Sequence, residues 1–338
     1  MRAKGINYDT GFLNRGVSSR PSFEPSVVRR ELQIIRDDLH CNAVRVTGGD
    51  VDRLELAATI AAELGLEVWF SPFTCDLSFD EMRDLLLDCA KRAERLRQGC
   101  AELVLVLGAE ISLLNRGFLP GEAVNERLAL LRDPIRFRQE IPKIPPLINQ
   151  FFATTVPLVR ERFGGKLSYA AMPFEGADWA LFDVVSLDLY RSAQVADRFA
   201  DAIRALVAQG KPLGITEFGA VTFTGAAELG AGAIDVVEWD HETVQPLGLK
   251  GEFVRNEREQ AEYLRELLEV FDAAGVDSAF VFTFVMDQLP HREPPAVDLD
   301  LASYGVVKVY EQRSGTRYPD MAWEPKLAFD TLAAYYKN

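Results

Sequence analysis

Two glutamates stand where apolar runs stop. One closes Leu213-Gly214-Ile215-Thr216-Glu217-Phe218-Gly219, the other Leu103-Val104-Leu105-Val106-Leu107-Gly108-Ala109-Glu110. Short apolar runs bounded by Gly and Pro read as strands buried on both faces, as in parallel sheets. A carboxylate at the end of such a strand is costly to place without a partner or a task. Two carboxylates flanking one cleft are the machinery of glycosidic bond hydrolysis: one protonates the leaving oxygen, the other attacks the anomeric carbon or activates water. The bland alternative is a buried ion pair for each, with Arg45 or Arg191 as the cation.

The elements that must position them alternate along the whole chain. Strands are expected at Ala3–Tyr8, Ala43–Thr47, Glu67–Ser71, Leu103–Gly108, Leu167–Ala171, Asp183–Leu187, Leu213–Ile215 and Ser278–Val285. Helical spacing follows Pro25, then Asp50 (through Leu54 and Ile60 to Leu64), then a Ser78/Glu81 capping box. Further helices are expected near 149–163, 195–208 and 258–274, with a last one opening at Pro325 as a first-turn proline. Eight βα units over 338 residues argue for one α/β domain spanning 1–338, a single (β/α)8 TIM barrel, with long loops after strands 4 and 7 (111–148 and 220–255). A doubly wound sheet would want a Gly-rich phosphate fingerprint after strand one, and Gly5-Ile6-Asn7-Tyr8 is none. The connection between strands five and six is short for a crossover helix.

In such barrels the site is built at the C-terminal strand ends. Those ends supply Asn7, Tyr8 and Asp9, Arg45, Cys75 and Asp76, Glu110, Glu175, Asp188 and Tyr190, Glu217, and Asp287. Strands four and seven face each other across the barrel, so Glu110 and Glu217 can reach one cleft.

The pattern resembles clan A of the glycoside hydrolases, the 4/7 superfamily. The resemblance runs over nearly the whole chain, on Gly5-Ile6-Asn7-Tyr8, Asn42-Ala43-Val44-Arg45, Val185-Ser186-Leu187-Asp188-Leu189-Tyr190, Thr216-Glu217-Phe218-Gly219 and Trp323-Glu324-Pro325-Lys326-Leu327-Ala328-Phe329. It implies a retaining glycosidase or transglycosidase, with Glu217 as nucleophile and Glu110 as acid/base. Arg45, Tyr190 and Asp188 would support the nucleophile. Asn7, Tyr8, Asp76, Glu175, Trp179, Trp239, Phe284 and Asp287 are the candidate substrate contacts. Two positions depart from the pattern: Ala109 stands where an Asn usually precedes the acid/base, and strand eight offers Phe rather than the usual Trp. Ala109 keeps open a non-catalytic carbohydrate-binding or regulatory protein on the same scaffold. A divalent-metal sugar isomerase or epimerase using Asp76, Glu110, Asp188 and Glu217 is the other alternative.

Composition bounds the partners. A formal net charge of −14 argues against a nucleic-acid partner, and no apolar run is long enough to span a membrane. The four cysteines (Cys41, Cys75, Cys89, Cys100) lack C-x-x-C pairing and read as reduced thiols in a cytoplasmic protein. The three histidines (His40, His241, His291) are not spaced as a zinc site. The expectation is a monomer or homodimer acting on a small carbohydrate, without cofactor or metal; the long loops favour a pocket over an open groove.

Overall fold

The computed structural model describes residues 1–99, 102–240 and 242–337; Cys100 and His241 lie outside them. Eight parallel strands close into a barrel: β1 (Ala3–Asp9), β2 (Ala43–Gly48), β3 (Glu67–Pro72), β4 (Leu103–Ala109), β5 (Lys166–Ala171), β6 (Val185–Asp188), β7 (Leu213–Phe218) and β8 (Ser278–Val281). Each strand pairs with its sequence neighbour and β1 pairs with both β2 and β8, so no edge remains. Around it lie α1 (Pro25–Asp37), α2 (Val51–Glu63), α3 (Phe79–Gly99), α4 (Ile144–Arg160), α5 (Ala196–Val207), α6 (Glu257–Ala274) and α7 (Leu327–Tyr336). This is the (β/α)8 architecture expected from the alternating pattern. Among the described residues no helix is long and apolar enough to cross a membrane.

Alternation along each strand divides the core into two layers. Val44, Val46, Phe70, Leu105, Leu107, Tyr169, Ile215 and Phe218 pack outward against the helices. Ala43, Trp69, Val104, Val106, Ala170 and Phe280 fill the barrel axis, where the Trp69 and Phe280 rings lie 4.8 Å apart. The expected caps form: the Asp50 side chain accepts from the amides of Asp52 and Arg53, and Ser78 and Glu81 bond reciprocally.

Several boundaries move, each for a local reason. Helix α4 begins at Ile144, because Pro145 and Pro146 occupy its first turn, where a missing N–H costs nothing. Asp183 precedes β6 and instead caps a neighbour, accepting from the Leu167 amide and from Arg160. Strand β8 stops at Val281, not Val285. Pro325 lies in a short antiparallel ladder with Val307–Val309, so α7 starts at Leu327. The segment after β4 is mostly helical (Ile111–Leu114, Val124–Leu131, Pro134–Glu140), and the one after β7 holds a hairpin, Val237–Asp240 with Gln245–Leu249. Between β5 and β6 the chain makes only two short 3-10 turns, Pro173–Glu175 and Trp179–Leu181, and the barrel closes without a helix there. Cys41, Cys75 and Cys89 are free thiols, and burial pushes Cys75 up to about 12.

Candidate active site

Strict alternation would turn Glu217 outward, since Ile215 faces the helices. An irregularity in the β6–β7 pairing intervenes: Leu187 sits opposite Ile215, but Asp188 opposite Glu217. The extra residue, Thr216, lets two consecutive side chains share the inner side, as a bulge does. Phe218 then returns outward onto Phe271 of α6. Beyond it Gly219 is required for clearance, because a Cβ there would meet the Phe282 carbonyl oxygen at 2.3 Å.

Beneath Glu217 the barrel interior is polar and fully buried. The Arg45 guanidinium donates from Nη1 to Glu217 Oε1 at 2.9 Å, to Asn7 Oδ1 at 3.1 Å and to the Thr216 carbonyl at 3.1 Å. Its Nε donates to Ser71 Oγ at 3.1 Å. Asn7 Nδ2 donates in turn to the Thr216 carbonyl at 2.9 Å. On the other side Tyr190 Oη donates to Glu217 Oε2 at 3.1 Å. Both oxygens of Glu217 are thus held, one by the Arg45 cation and one by the Tyr190 phenol. The Tyr190 ring stacks edge-on against Tyr304, whose hydroxyl donates to the Gly230 and Ala231 carbonyls and anchors the segment after β7.

Glu110 is aimed by a second irregularity. The β4–β5 register shifts between Val106 and Ala109, with Gly108 at φ +88°, where a Cβ would meet Ile111 Cγ2 at 2.8 Å. Glu110 itself adopts the left-handed region at φ 45°, uncommon for a residue with a side chain. The turn is fastened from below. The Glu110 amide donates to the Ala170 carbonyl at 2.9 Å, the Ile111 amide to Tyr169 Oη at 3.0 Å, and the Ser112 amide to Glu175 Oε1 at 3.0 Å. Glu175 Oε2 accepts from Tyr169 Oη at 2.6 Å and from the Met172 amide at 2.9 Å. Burial, then the charges of Asp188, Glu217 and Glu175, push the Glu110 carboxyl well above the ordinary glutamate range.

Asp188 completes the group. It is 5 % exposed, and neither of its carboxyl oxygens has a hydrogen-bond partner; Arg45 Nη2 and Thr216 Oγ1 nearby are also unpartnered. Burial first, and the Glu217 charge second, raise Asp188 well above its usual value, with Arg45 and Thr216 pulling the other way. Glu110, Asp188 and Tyr190 line one cavity of about 1080 Å³ together with Trp179.

The remaining expected contacts are placed differently. Tyr8 is fully buried on the helix side of β1, its hydroxyl donating to Glu31 Oε2 at 2.6 Å, so it cannot touch a ligand in the barrel mouth. Phe284 packs outward on Trp323, because β8 ends at Val281 and the backbone turns. Phe282 takes the inward position instead, lining a small cavity with Asp9, Thr47 and Phe73; alternation carried past the strand end hides this. Glu175 is consumed by the Glu110 turn. Asp76, itself at φ 56°, pairs with Arg127, whose guanidinium also ties the Leu113, Leu114 and Gly121 carbonyls. Asp287 faces Arg20 at 3.3 Å and is raised by burial to about 6. Trp239 sits half-buried on the hairpin after β7, against a separate apolar cluster. Asn7 reaches Arg45 from inside the barrel rather than the open cleft. With Asp76 drawn to Arg127, the four acidic groups do not converge, and among the described residues no three His, Cys, Asp or Glu side chains are arranged to hold a metal ion.

No protein-family model matches the chain, and no curated protein matches it by sequence. Solved structures match by fold. A GH113 β-1,4-mannanase superposes with a TM-score of 0.60 at 18% identity, covering 100% of both chains. A Parabacteroides merdae β-glucuronidase (TM-score 0.58, 13% identity) and one from an uncultured Clostridium sp. (0.56, 12%) cover 100% of this chain. This chain spans only 37% and 50% of those two proteins. At these identities the likeness is one of fold: the chain shares the (β/α)8 barrel of these structures.

Proposed function

We propose that the chain is a retaining glycoside hydrolase acting on a small glycoside, with Glu217 as nucleophile and Glu110 as acid/base. The observation that carries this is the contrast between two carboxylates at one barrel mouth. Glu217 has each oxygen held by a donor, one of them the Arg45 cation. Burial and neighbouring negative charge shift Glu110 upward, toward its protonated form. Paired carboxyls in opposed environments are the arrangement acid/nucleophile chemistry needs.

In the first step Glu217 attacks the anomeric carbon while Glu110 protonates the departing oxygen, and a glycosyl-enzyme ester forms. In the second, Glu110, now ionised, takes a proton from water as that water attacks the same carbon and Glu217 leaves as carboxylate. Arg45 and Tyr190 hold the attacking oxygen pair in place and receive its charge again when the ester breaks. With Ala109 buried toward the barrel axis, the strand-four position before the acid/base offers no side-chain donor to a sugar hydroxyl. Asp188, whose carboxyl oxygens have no partner and which faces the same cavity, can instead accept a hydrogen bond from a sugar hydroxyl.

The test is a panel of p-nitrophenyl glycosides followed by NMR of the first-formed anomer. Turnover with retained configuration, lost in Glu217→Gln and recovered by azide in Glu110→Ala on an activated substrate, is the expected result. Binding of sugars without turnover of any glycoside would favour the non-catalytic reading that Ala109 motivates, and inverted product would overturn the nucleophile assignment.

A further inference from the structure

Every barrel connection but one carries a helix of ten residues or more. The exception, 172–184, leaves the flank of β5 and β6 covered only by two three-residue turns. Where a helix would lie there is instead the outer part of the 1080 Å³ cavity, just above the usual size range of ligand sites, about 300–1,000 Å³. At its inner end stand Glu110, Asp188 and Tyr190; from there it runs between the 172–179 turns and α5. Its walls are Met172, Phe174, Trp179, Val195, Phe199 and Leu206, while Arg198, Asp201 and Gln209 are exposed at the rim. Leu229, 50 % exposed, borders the opening from the segment after β7. Helix α5 buries Phe199 and Ile203, and together with the half-buried Leu206 they form its side of the groove.

Resting on the glycosidase reading above, we propose that this groove is the aglycone site, and that the substrate is an amphipathic glycoside with an apolar alkyl or aryl aglycone. Continuity selects this occupant. A leaving group must extend from the acid/base, and Glu110 lies at the groove's inner end. A second sugar there would lose its water to walls that offer few hydrogen bonds, a cost that an apolar chain does not incur. An apolar chain in the same place gains free energy with each methylene it buries.

The test uses n-butyl, n-hexyl and n-octyl glycosides of the sugar found in the aryl panel, since these leaving groups differ in length but scarcely in acidity. The kcat/KM should rise three- to fourfold per methylene while the chain remains inside the groove, about 0.8 kcal/mol each. At least tenfold is expected from butyl to octyl. Ala202→Trp, a substitution at an exposed helix position that lines the groove, should flatten the series from butyl to octyl. A flat wild-type series with good turnover overturns the aglycone site and leaves the glycosidase reading standing. Calorimetry with n-octyl β-D-glucoside and n-octyl β-D-mannoside on wild type and Ala202→Trp gives a readout without turnover. Binding lost in the variant supports the groove even if no glycoside is hydrolysed, in which case the catalytic reading fails alone. No octyl glycoside binding overturns the proposal, as does mass doubling in solution that Ala202→Trp abolishes, which would make the groove a contact between two copies.

Discussion

Replacing Arg45 by Met tests whether the buried cation is the partner that keeps Glu217 in place. The pair is 2.9 Å apart, with the Arg45 side chain 0 % and the Glu217 side chain 8 % exposed. Coulomb attraction at that distance and an effective dielectric constant of about 20 is about 6 kcal/mol. Much of it offsets the cost of drying both ions. What a single substitution exposes is the uncompensated partner, at about 3–5 kcal/mol. Arg45 also donates to Asn7, Ser71 and the Thr216 carbonyl, which places Arg45→Met at the upper end of that range. Urea unfolding at pH 7 reads the loss from the midpoint, provided the slope is unchanged. Glu217→Gln and the double variant complete a cycle, in which the pair should couple by about 1–3 kcal/mol, the double variant being less damaged than the sum. A loss below about 1 kcal/mol, the size of an exposed ion pair, or an additive cycle, would refute the account of Arg45 as the buried counter-charge.

The other predictions are more local. Because Glu110 is raised in the folded state, the native protein binds the extra proton, and its stability falls as pH rises from the ordinary 4.5 toward the raised value. Glu110→Gln lacks this term, so its stability relative to wild type should climb through that window in urea titrations; a constant difference would count against the shift. Asp188→Asn removes the largest charge acting on Glu110 after burial, so the alkaline limb of kcat/KM should move to lower pH. Gly108→Ala forces a side chain into the left-handed region and onto Ile111, costing about 1–3 kcal/mol, with turnover lost beyond what the melting shift explains. Phe284→Ala should cost about 3–5 kcal/mol in unfolding with KM little changed. Phe282→Ala should do the reverse, raising KM or lowering kcat with a small change in stability.

Much of the barrel is legible from periodicity, because strands buried on both faces are written as apolar runs and α1, α2, α3 and α6 as 3.6-residue stripes. Glu110, Tyr190 and Glu217 sit at or just past strand ends, where the fold itself directs side chains to the mouth, whereas Arg45 lies in the middle of β2 and reaches Glu217 from inside the barrel. What periodicity conceals is direction once the backbone leaves ideal geometry. Glu217 points inward only through the extra residue at Thr216, and Phe282 rather than Phe284 faces inward, onto the small cavity it shares with Asp9, Thr47 and Phe73, because β8 ends early. Asp76 and Glu175 sit at strand ends like the others, but their orientation is decided by partners remote in sequence. Arg127, on a helix in the segment after β4, left no pattern that pointed to Asp76. Ser112 and Tyr169 likewise capture Glu175 through a backbone turn that residue types alone do not reveal.

The two carboxylates are also held by different kinds of structure. Glu217 lies within a strand of the closed barrel, so displacing it means parting β6 from β7. Glu110 lies past the end of its strand, on a turn whose Ile111 and Ser112 amides are satisfied by Tyr169 and Glu175 side chains rather than by the ladder. A turn fastened by side chains opens at lower free energy than the sheet beside it. Amides 111 and 112 should therefore exchange with solvent hydrogen well before those of 213–218. Mild heat or dilute urea would then silence the acid while the barrel, and the nucleophile within it, still stands.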